Sequence, residues 1–238
     1  MKFVLLLGVD ESLFKACFGK SEEWTCAFQT LSDQCKESEL KDALADPDLL
    51  CCVVQDFEAH WKIVCNYYNK GGFVVYFGIY GEFGAPRHLS SAFGLDWSFS
   101  AYTKHEYEVT SIGQHYIGDD IVKVQYSKAN LLKVPAEDRI LTAKKPKDIR
   151  EYILEIVGIQ LEEGDDLENL PDPDDRKIYE RAKNGGFAKW CEEMDSQSPL
   201  VMHLGPNGAK IAYLGFVNGD GEIPRIVRAL LTGEKAKQ

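Results

Sequence analysis

Residues 71–84 read Gly-Gly-Phe-Val-Val-Tyr-Phe-Gly-Ile-Tyr-Gly-Glu-Phe-Gly. The run Phe73–Phe77 is apolar and rich in β-forming residues, which is typical of a strand buried on both faces of a parallel sheet. The glycines that follow allow the sharp strand-to-helix turn that exposes a nucleophile in several classes of hydrolase. Tyr80 occupies the exposed position of this turn, where those hydrolases carry serine or cysteine. The stretch therefore predicts a fold and a site, but no reaction.

Two further apolar runs, residues 3–9 and Leu49–Val54, predict strands of the same parallel sheet. A helix with one apolar face is predicted between the Leu49–Val54 run and the Phe73–Phe77 run. Its apolar face consists of Trp61, Val64, Cys65 and Tyr68. Such a strand–helix–strand unit forms a right-handed crossover. The fold class we predict is a flavodoxin-like α/β three-layer sandwich, with a mostly parallel central sheet, in a single domain over residues 1–238.

The C-terminal part predicts a hairpin and a closing helix. Residues 200–204 and 210–216 have strand character, and Gly205-Pro206-Asn207-Gly208 between them has strong turn chemistry. An apolar helical face follows, formed by Ile223, Ile226, Val227, Leu230 and Leu231. Gly233 is expected to end this helix.

The middle of the chain gives weaker patterns. Ser90 is expected to cap a short helical turn. Residues 97–110 alternate aromatic and polar side chains, which favours exposed or sheet-edge structure, and residues 122–134 have strand character. Residues 139–142 are expected to pair back as a hairpin arm. The acidic, proline-containing residues 161–175 predict a surface loop, inserted in the domain, that adds little to the core.

Composition excludes several classes of function. The net charge is -11 and the pI is near 5.0, which argues against binding to nucleic acids or anionic membranes. The sequence has seven cysteines, which is an odd number, and it has no C-x-x-C motif. Neither a disulfide scaffold nor a zinc site is therefore predicted. The N-terminal apolar run ends at once in Asp10-Glu11, so we interpret it as a strand and not as a signal peptide. We expect a cytoplasmic protein without metal or cofactor.

Polar residues follow the predicted strands at their carboxyl ends, where open α/β sheets hold their ligands. The candidate catalytic residues are Asp10, Asp56, Tyr80 and Glu82. Gly78, Gly81 and Arg87 are candidate ligand-binding residues, and the excess of carboxylates over arginine favours a polar or cationic ligand. Each candidate has a structural alternative, namely helix capping for the two aspartates, a favourable helix N-terminus for Glu82 and packing for Tyr80.

Three features together resemble the class I glutamine amidotransferase-like superfamily, in particular its trehalose-utilisation-protein-like branch. They are the strand that ends in Gly78-Ile79-Tyr80-Gly81, the segment Phe93-Gly94-Leu95-Asp96-Trp97, and the late strand that leads into Val217-Asn218-Gly219-Asp220-Gly221-Glu222 and a helix. True amidotransferases carry a catalytic cysteine at the turn and a His-x-Glu pair after the late strand. Here the turn holds Tyr80 and the late segment holds no histidine, so the resemblance implies that glutaminase activity is absent. Asn218, in this late segment, is a further candidate ligand-binding residue.

Three functions remain open. The leading hypothesis is a degenerate amidotransferase-like domain that binds a small polar molecule or a partner protein. The second is a hydrolase-type enzyme that uses carboxylates and Tyr80 in acid–base chemistry. The third is a structural or oligomerisation module, such as one half of a homodimer.

Overall fold

The computed structural model describes residues 1–19, 24–55, 58–78, 85–157, 167–170, 172–217 and 221–234. The chain divides into two compact units. The larger unit comprises Met1–Thr142 and Gln197–Gln238, and the smaller unit comprises Ala143–Ser196. The single-domain organisation expected from the sequence stays a prediction.

The described strands are β1 (Phe3–Leu7), β2 (Ala27–Leu31), β3 (Leu49–Val54), β4 (Phe73–Phe77), β5 (Ser98–Val109), β6 (Lys123–Lys133), β7 (Leu141–Ala143), β8 (Gln197–Ser198), β9 (Leu200–Leu204) and β10 (Lys210–Leu214). Six of them form one sheet in the order β2-β1-β3-β4-β10-β9. All neighbours in this sheet are parallel except β9 and β10. The mixed α/β class, the mostly parallel sheet and the three predicted parallel strands are therefore confirmed.

The described α-helices are α1 (Glu11–Phe18), α2 (Glu37–Leu44), α3 (Trp61–Asn69), α4 (Ala85–Phe93), α5 (Ser111–Ile117), α6 (Ile149–Glu151), α7 (Pro173–Arg181), α8 (Phe187–Met194) and α9 (Ile223–Thr232). Short 3-10 turns occur at Glu58–His60, Ala136–Asp138, Leu167–Asn169 and Pro206–Gly208, and wider helical turns at Tyr152–Val157 and Ala182–Gly186. In the part of the chain that the structure describes, none of these helices combines the length and apolarity needed to cross a membrane.

The core of the larger unit follows from strand alternation. Adjacent strand residues point to opposite faces of a sheet, so β4 contributes to two packing layers. The ring of Phe77 packs edge-on against Phe14 and Phe18 of α1, at centroid distances of 5.3 and 5.4 Å. Its neighbour Tyr76 belongs instead to a buried cluster with Leu40 of α2 and with α3 residues. Burial of apolar surface contributes about 25 cal/mol per Å², so the apolar side chains buried on both faces of the sheet stabilise the larger unit.

The second sheet was not predicted. It contains four strands in the order β7-β5-β6-β8, with β5 and β6 antiparallel. The expectation that residues 97–110 lie at a sheet edge was wrong, because β5 is an interior strand of this sheet. The hairpin expected between residues 122–134 and 139–142 was also wrong, since β7 lies beside β5 and not beside β6. Pairing of this kind depends on tertiary context that the local sequence does not encode.

Two local predictions also need correction. Ser90 does not cap a helix, because it lies inside α4, where its hydroxyl donates a hydrogen bond to the carbonyl of Trp97. Residues 161–175 are only partly described. In the described part, Leu170 is buried and residues 173–175 form the first turn of α7, which the Asp172 carboxylate caps, so this portion is not a loop.

The C-terminal predictions are confirmed. β9 and β10 form an antiparallel hairpin around Pro206–Gly208, and Asn207 adopts a left-handed conformation there, with φ of 56°. The buried face of α9 contains all five predicted apolar residues. Gly233 then ends the helix in a left-handed conformation.

Candidate functional site

The carboxyl ends of the parallel strands lie along one edge of the six-stranded sheet. β1, β3 and β4 are neighbours in the sheet, and β10 is parallel to β4 on its other side. The segments that follow these strands therefore begin at the same edge, where connections diverge and ligands bind in open α/β sheets. This topology supports the edge that the sequence predicted.

Most of the predicted site residues lie outside the described residues. These are Asp56, Tyr80, Gly81, Glu82 and Asn218. Arg87 belongs to α4. The roles proposed for these six residues stay predictions, and the geometry available for the site comes from Asp10, Gly78 and their neighbours.

Asp10 caps α1. Its Oδ1 atom accepts a hydrogen bond of 2.8 Å from the backbone N–H of Leu13, and its own backbone is extended. This contact satisfies one of the unpaired donors at the helix start, so the capping alternative for Asp10 is confirmed. The adjacent Glu11 is also engaged. Its ion pair with Lys15 and a 3.0 Å hydrogen bond from Thr30 Oγ1 hold the pKa of Glu11 below its usual value.

Gly78, directly after β4, is held from three sides. Its N–H donates to the carbonyl of Leu214 at 2.9 Å, and its own carbonyl accepts a 2.8 Å hydrogen bond from Asn130 Nδ2. A Cβ atom at this position would lie 2.6 Å from Cε2 of Tyr213, closer than real contacts allow. Glycine is therefore required here by the close approach of a buried ring, and the start of the turn is fixed in place.

Asn130 and Tyr213 hold Gly78 in place at this edge, and the sequence singled out neither of them. Both are buried, and Asn130 also pairs through its backbone N–H with the carbonyl of Gly215 at 2.8 Å. Tyr213 stacks on Tyr76 at a centroid distance of 6.1 Å, and burial raises its pKa. No local signal marked Asn130, because the segment Lys123–Lys133 mixes polar and apolar residues.

None of the cysteine thiols is activated. Burial is the largest cause of a raised pKa at all seven, which are Cys17, Cys26, Cys35, Cys51, Cys52, Cys65 and Cys191. Cysteine nucleophiles require the opposite shift, since the thiolate is the reactive species. Four of the seven, Cys17, Cys51, Cys52 and Cys65, are buried and suit core packing, whereas the other three are partly buried.

One cysteine has a histidine beside it. Cys35 Sγ lies 3.7 Å from Nε2 of His60, and both residues follow strands that end at the carboxyl edge. The carboxylate of Glu39 adds to burial in raising the Cys35 pKa, which disfavours a thiolate–imidazolium pair. His60 is buried, and its Nδ1 atom has no hydrogen-bond partner among the described residues, so nothing described there orients the ring as a catalytic base.

A second polar cluster lies away from this edge and was also missed. Asp138 is buried, and its Oδ2 atom accepts a 2.8 Å hydrogen bond from Nε1 of Trp97. Its other oxygen lies 3.0 Å from Nδ1 of His203, which is partly exposed on β9. A buried carboxylate needs polar partners of this kind, and the indole N–H of Trp97 and the imidazole of His203 supply them. Within the described ranges, no group of three histidine, cysteine or acidic residues is arranged to hold a metal ion.

Comparison with known proteins gives a structural likeness only. No protein-family model and no curated protein matches this chain. Among solved structures, the chain is similar to a ThuA-like protein from Parabacteroides merdae, with a TM-score of 0.50 and 9% sequence identity. The match covers 100% of this chain and 91% of that chain. At this identity the likeness shows the fold alone, and it agrees with the α/β fold that the sequence predicts.

Proposed function

We propose that this chain is an amidotransferase-like α/β domain that lacks glutaminase activity and binds a small polar molecule. The binding site is the carboxyl edge of the six-stranded sheet, at the turn that begins with Gly78. Helices on both faces of the sheet complete a three-layer sandwich. The contacts of Phe77 with α1 and of Tyr76 with the α2 and α3 cluster support this arrangement.

The observation that carries the proposal is Tyr80 at the position of the nucleophile, and the raised pKa of all seven thiols supports it. Glutamine hydrolysis by this superfamily proceeds through a thioester, which requires a thiolate and a base within hydrogen-bond reach. Tyr80 occupies the position of the nucleophile, and Cys35, the thiol that lies beside His60, is held in its neutral form. These observations support a domain without the thiolate that this reaction requires.

The ligand class follows from the charges expected around the turn. Asp10, Asp56 and Glu82 outnumber Arg87, so a neutral polar or cationic ligand is favoured over a phosphate. Gly78, Gly81 and Asn218 would present backbone and amide groups to it. The rigid attachment of Gly78 to Leu214 and Asn130 supports a preformed site, because a preformed site loses little conformational entropy on binding.

Glutaminase activity is tested by measuring ammonia release from glutamine. We expect no release above the protein-free blank, either from the wild type or from Cys35→Ser. Release that Cys35→Ser or Tyr80→Phe abolishes would contradict the proposal, and each outcome would identify the nucleophile.

Ligand binding is tested with a panel of sugars, polyols and amines, scored by the rise in Tm. The double variant Tyr80→Ala/Glu82→Gln should keep the unliganded Tm of the wild type and lose the rise with the ligand. A double variant that unfolds would show that the two side chains are packing groups, and the site would be wrong. Turnover of a panel member that Glu82→Gln abolishes would favour the acid–base hydrolase instead.

A further inference from the structure

The smaller unit contains a cleft of its own. It has a volume of about 340 Å³ and is formed by the turn Tyr152–Val157 together with α7, α8 and the turn Ala182–Gly186 between them. A volume of this size is at the lower end of small-molecule sites, which measure about 300–1,000 Å³. All the residues that line the cleft belong to the smaller unit, so the cleft does not depend on the function proposed for the six-stranded sheet.

The cleft results from an interruption between two helices. α7 and α8 do not form one straight helix, because Asn184 and Gly185 leave the helical conformation, with φ of 98° at Gly185. Only glycine adopts that conformation readily. A Cβ atom at Gly186 would lie 2.6 Å from the carbonyl oxygen of Arg181, so this position also requires glycine. Wide helical turns of this kind are frequent at functional sites.

The wall of the cleft is aromatic. The ring of Tyr152 lies 5.3 Å from that of Trp190, with an angle of 56° between the planes, and 5.5 Å from that of Phe187. Tyr152 and Trp190 are both only partly buried and both line the cleft, together with the exposed side chain of Ile178. These groups present an apolar surface to a planar ring, which stacks favourably on aromatic side chains.

The charges around the cleft favour an anion. Arg181, Lys189 and Glu193 line it, so two cations face one carboxylate. The ammonium of Lys189 lies 3.8 Å from a carboxylate oxygen of Glu193, and this exposed pair is weak. No ion pair of the Arg181 guanidinium occurs within the residues that the structure describes. The negative charge of the whole chain opposes an anion at long range, but salt screens it beyond about 8 Å at physiological ionic strength.

We propose that this cleft binds a small planar aromatic anion, that is, an aromatic ring with a carboxylate or phosphate substituent. The ring stacks on Tyr152 and Trp190, and the anionic group pairs with the guanidinium of Arg181. Guanidinium is suited to this role because its planar donors match the two oxygens of a carboxylate or phosphate. Lys189 adds a second positive charge at the rim.

The test uses 1-naphthyl phosphate as the probe, followed by two-dimensional amide and indole N–H NMR of the full chain. We expect saturable shifts at the Trp190 indole and around Tyr152. Inorganic phosphate has the charge without the ring, and 1-naphthalenemethanol has the ring without the charge. Each should bind at least about tenfold more weakly than the probe, since each lacks one of the two contacts.

The variants separate a specific pairing from a general effect of charge. Arg181→Gln should weaken binding about tenfold, as expected for the loss of one charge-assisted contact. Arg176→Gln removes the same charge from the same helix but outside the cleft, and should leave binding unchanged. Arg181→Lys keeps the charge without the planar fork and should give an intermediate affinity. The NMR spectra of the free variants show that each remains folded.

Three results would overturn the proposal. They are the absence of saturable binding of 1-naphthyl phosphate, shifts that map outside the cleft, and equal weakening by Arg181→Gln and Arg176→Gln. Binding of inorganic phosphate as tight as that of the probe would also contradict it, because the aromatic wall would then contribute nothing.

Discussion

The side-chain amide of Asn130 donates a 2.8 Å hydrogen bond to the backbone carbonyl of Gly78. Asn130 belongs to β6 of the four-stranded sheet, and Gly78 follows β4 of the six-stranded sheet. The backbone N–H of Asn130 donates to the carbonyl of Gly215, directly after β10. The second sheet thus supports the ends of two adjacent strands at the edge where the ligand site is proposed.

Replacement of Asn130 by alanine should destabilise the protein by about 1–3 kcal/mol, because the partly buried carbonyl of Gly78 loses the donor supplied by the buried Asn130 side chain. Urea unfolding measures the free energy of unfolding. Lys128→Ala is a matched control, since Lys128 is an exposed residue of the same strand and its replacement should change stability by less than about 0.5 kcal/mol. Equal effects of the two changes would contradict a specific role for the Asn130 amide.

Gly78→Ala should also destabilise the protein, by about 1–3 kcal/mol, because the new methyl group would overlap the Tyr213 ring at 2.6 Å. The cost is steric, since the backbone of Gly78 is not among the left-handed glycines. A double-mutant cycle with Tyr213→Leu isolates it. Gly78→Ala should lower the free energy of unfolding much less in the Tyr213→Leu background than in the wild type. An equal decrease in both backgrounds would show that the strain comes from a contact other than Tyr213.

The parallel sheet was predictable because its strands are buried on both faces. Leu49–Val54 and Phe73–Phe77 are continuous apolar runs, and the observed bounds match the predicted ones. The hairpin at Pro206–Gly208 was predictable from its turn residues. These signals are local, so they do not depend on which distant segments pair.

The second sheet was not predictable by the same reasoning. In β5 the buried residues His105 and Tyr107 alternate with more exposed ones, and this pattern also fits an edge strand. Its assignment as an interior strand comes from pairing with β6 on one side and β7 on the other. The supporting residues Asn130 and Tyr213 were missed for the same reason, because their partners come from strands far away in the sequence.

Asp138→Asn should destabilise the protein by about 1–3 kcal/mol. The carboxylate accepts hydrogen bonds on both oxygens, one from Trp97 Nε1 and one at the His203 ring, whereas asparagine offers one acceptor oxygen and one NH₂ group. The NH₂ group of the asparagine then faces either the Trp97 ring or the His203 ring, in the place of an acceptor oxygen. Glu137→Gln makes the same chemical change at the exposed neighbouring residue and should have little effect on urea unfolding. A similar loss in both variants would show that the cluster contributes nothing specific.

The last prediction concerns pH and the buried imidazole of His105. Burial lowers its pKa below the usual value of 6.5, so the folded protein keeps this ring neutral. The unfolded chain takes up a proton as the pH falls through about 6.5, and from there down to the lowered pKa it binds more protons than the folded state. The contribution of His105 to the free energy of unfolding is therefore fully present above about pH 6.5. It decreases on acidification by up to about 1.4 kcal/mol per pH unit.

His105→Gln removes the titrating group, so the fall in the free energy of unfolding between pH 7 and pH 5 should be smaller than in the wild type. The control is His115→Gln, which replaces an exposed histidine and should keep the wild-type dependence on pH. Urea unfolding at several pH values measures both. Because His105→Gln leaves a buried polar amide, its stability at pH 7 will also differ, so the comparison uses the change with pH and not the absolute value. An unchanged slope in His105→Gln would show that other groups cause the loss of stability in acid.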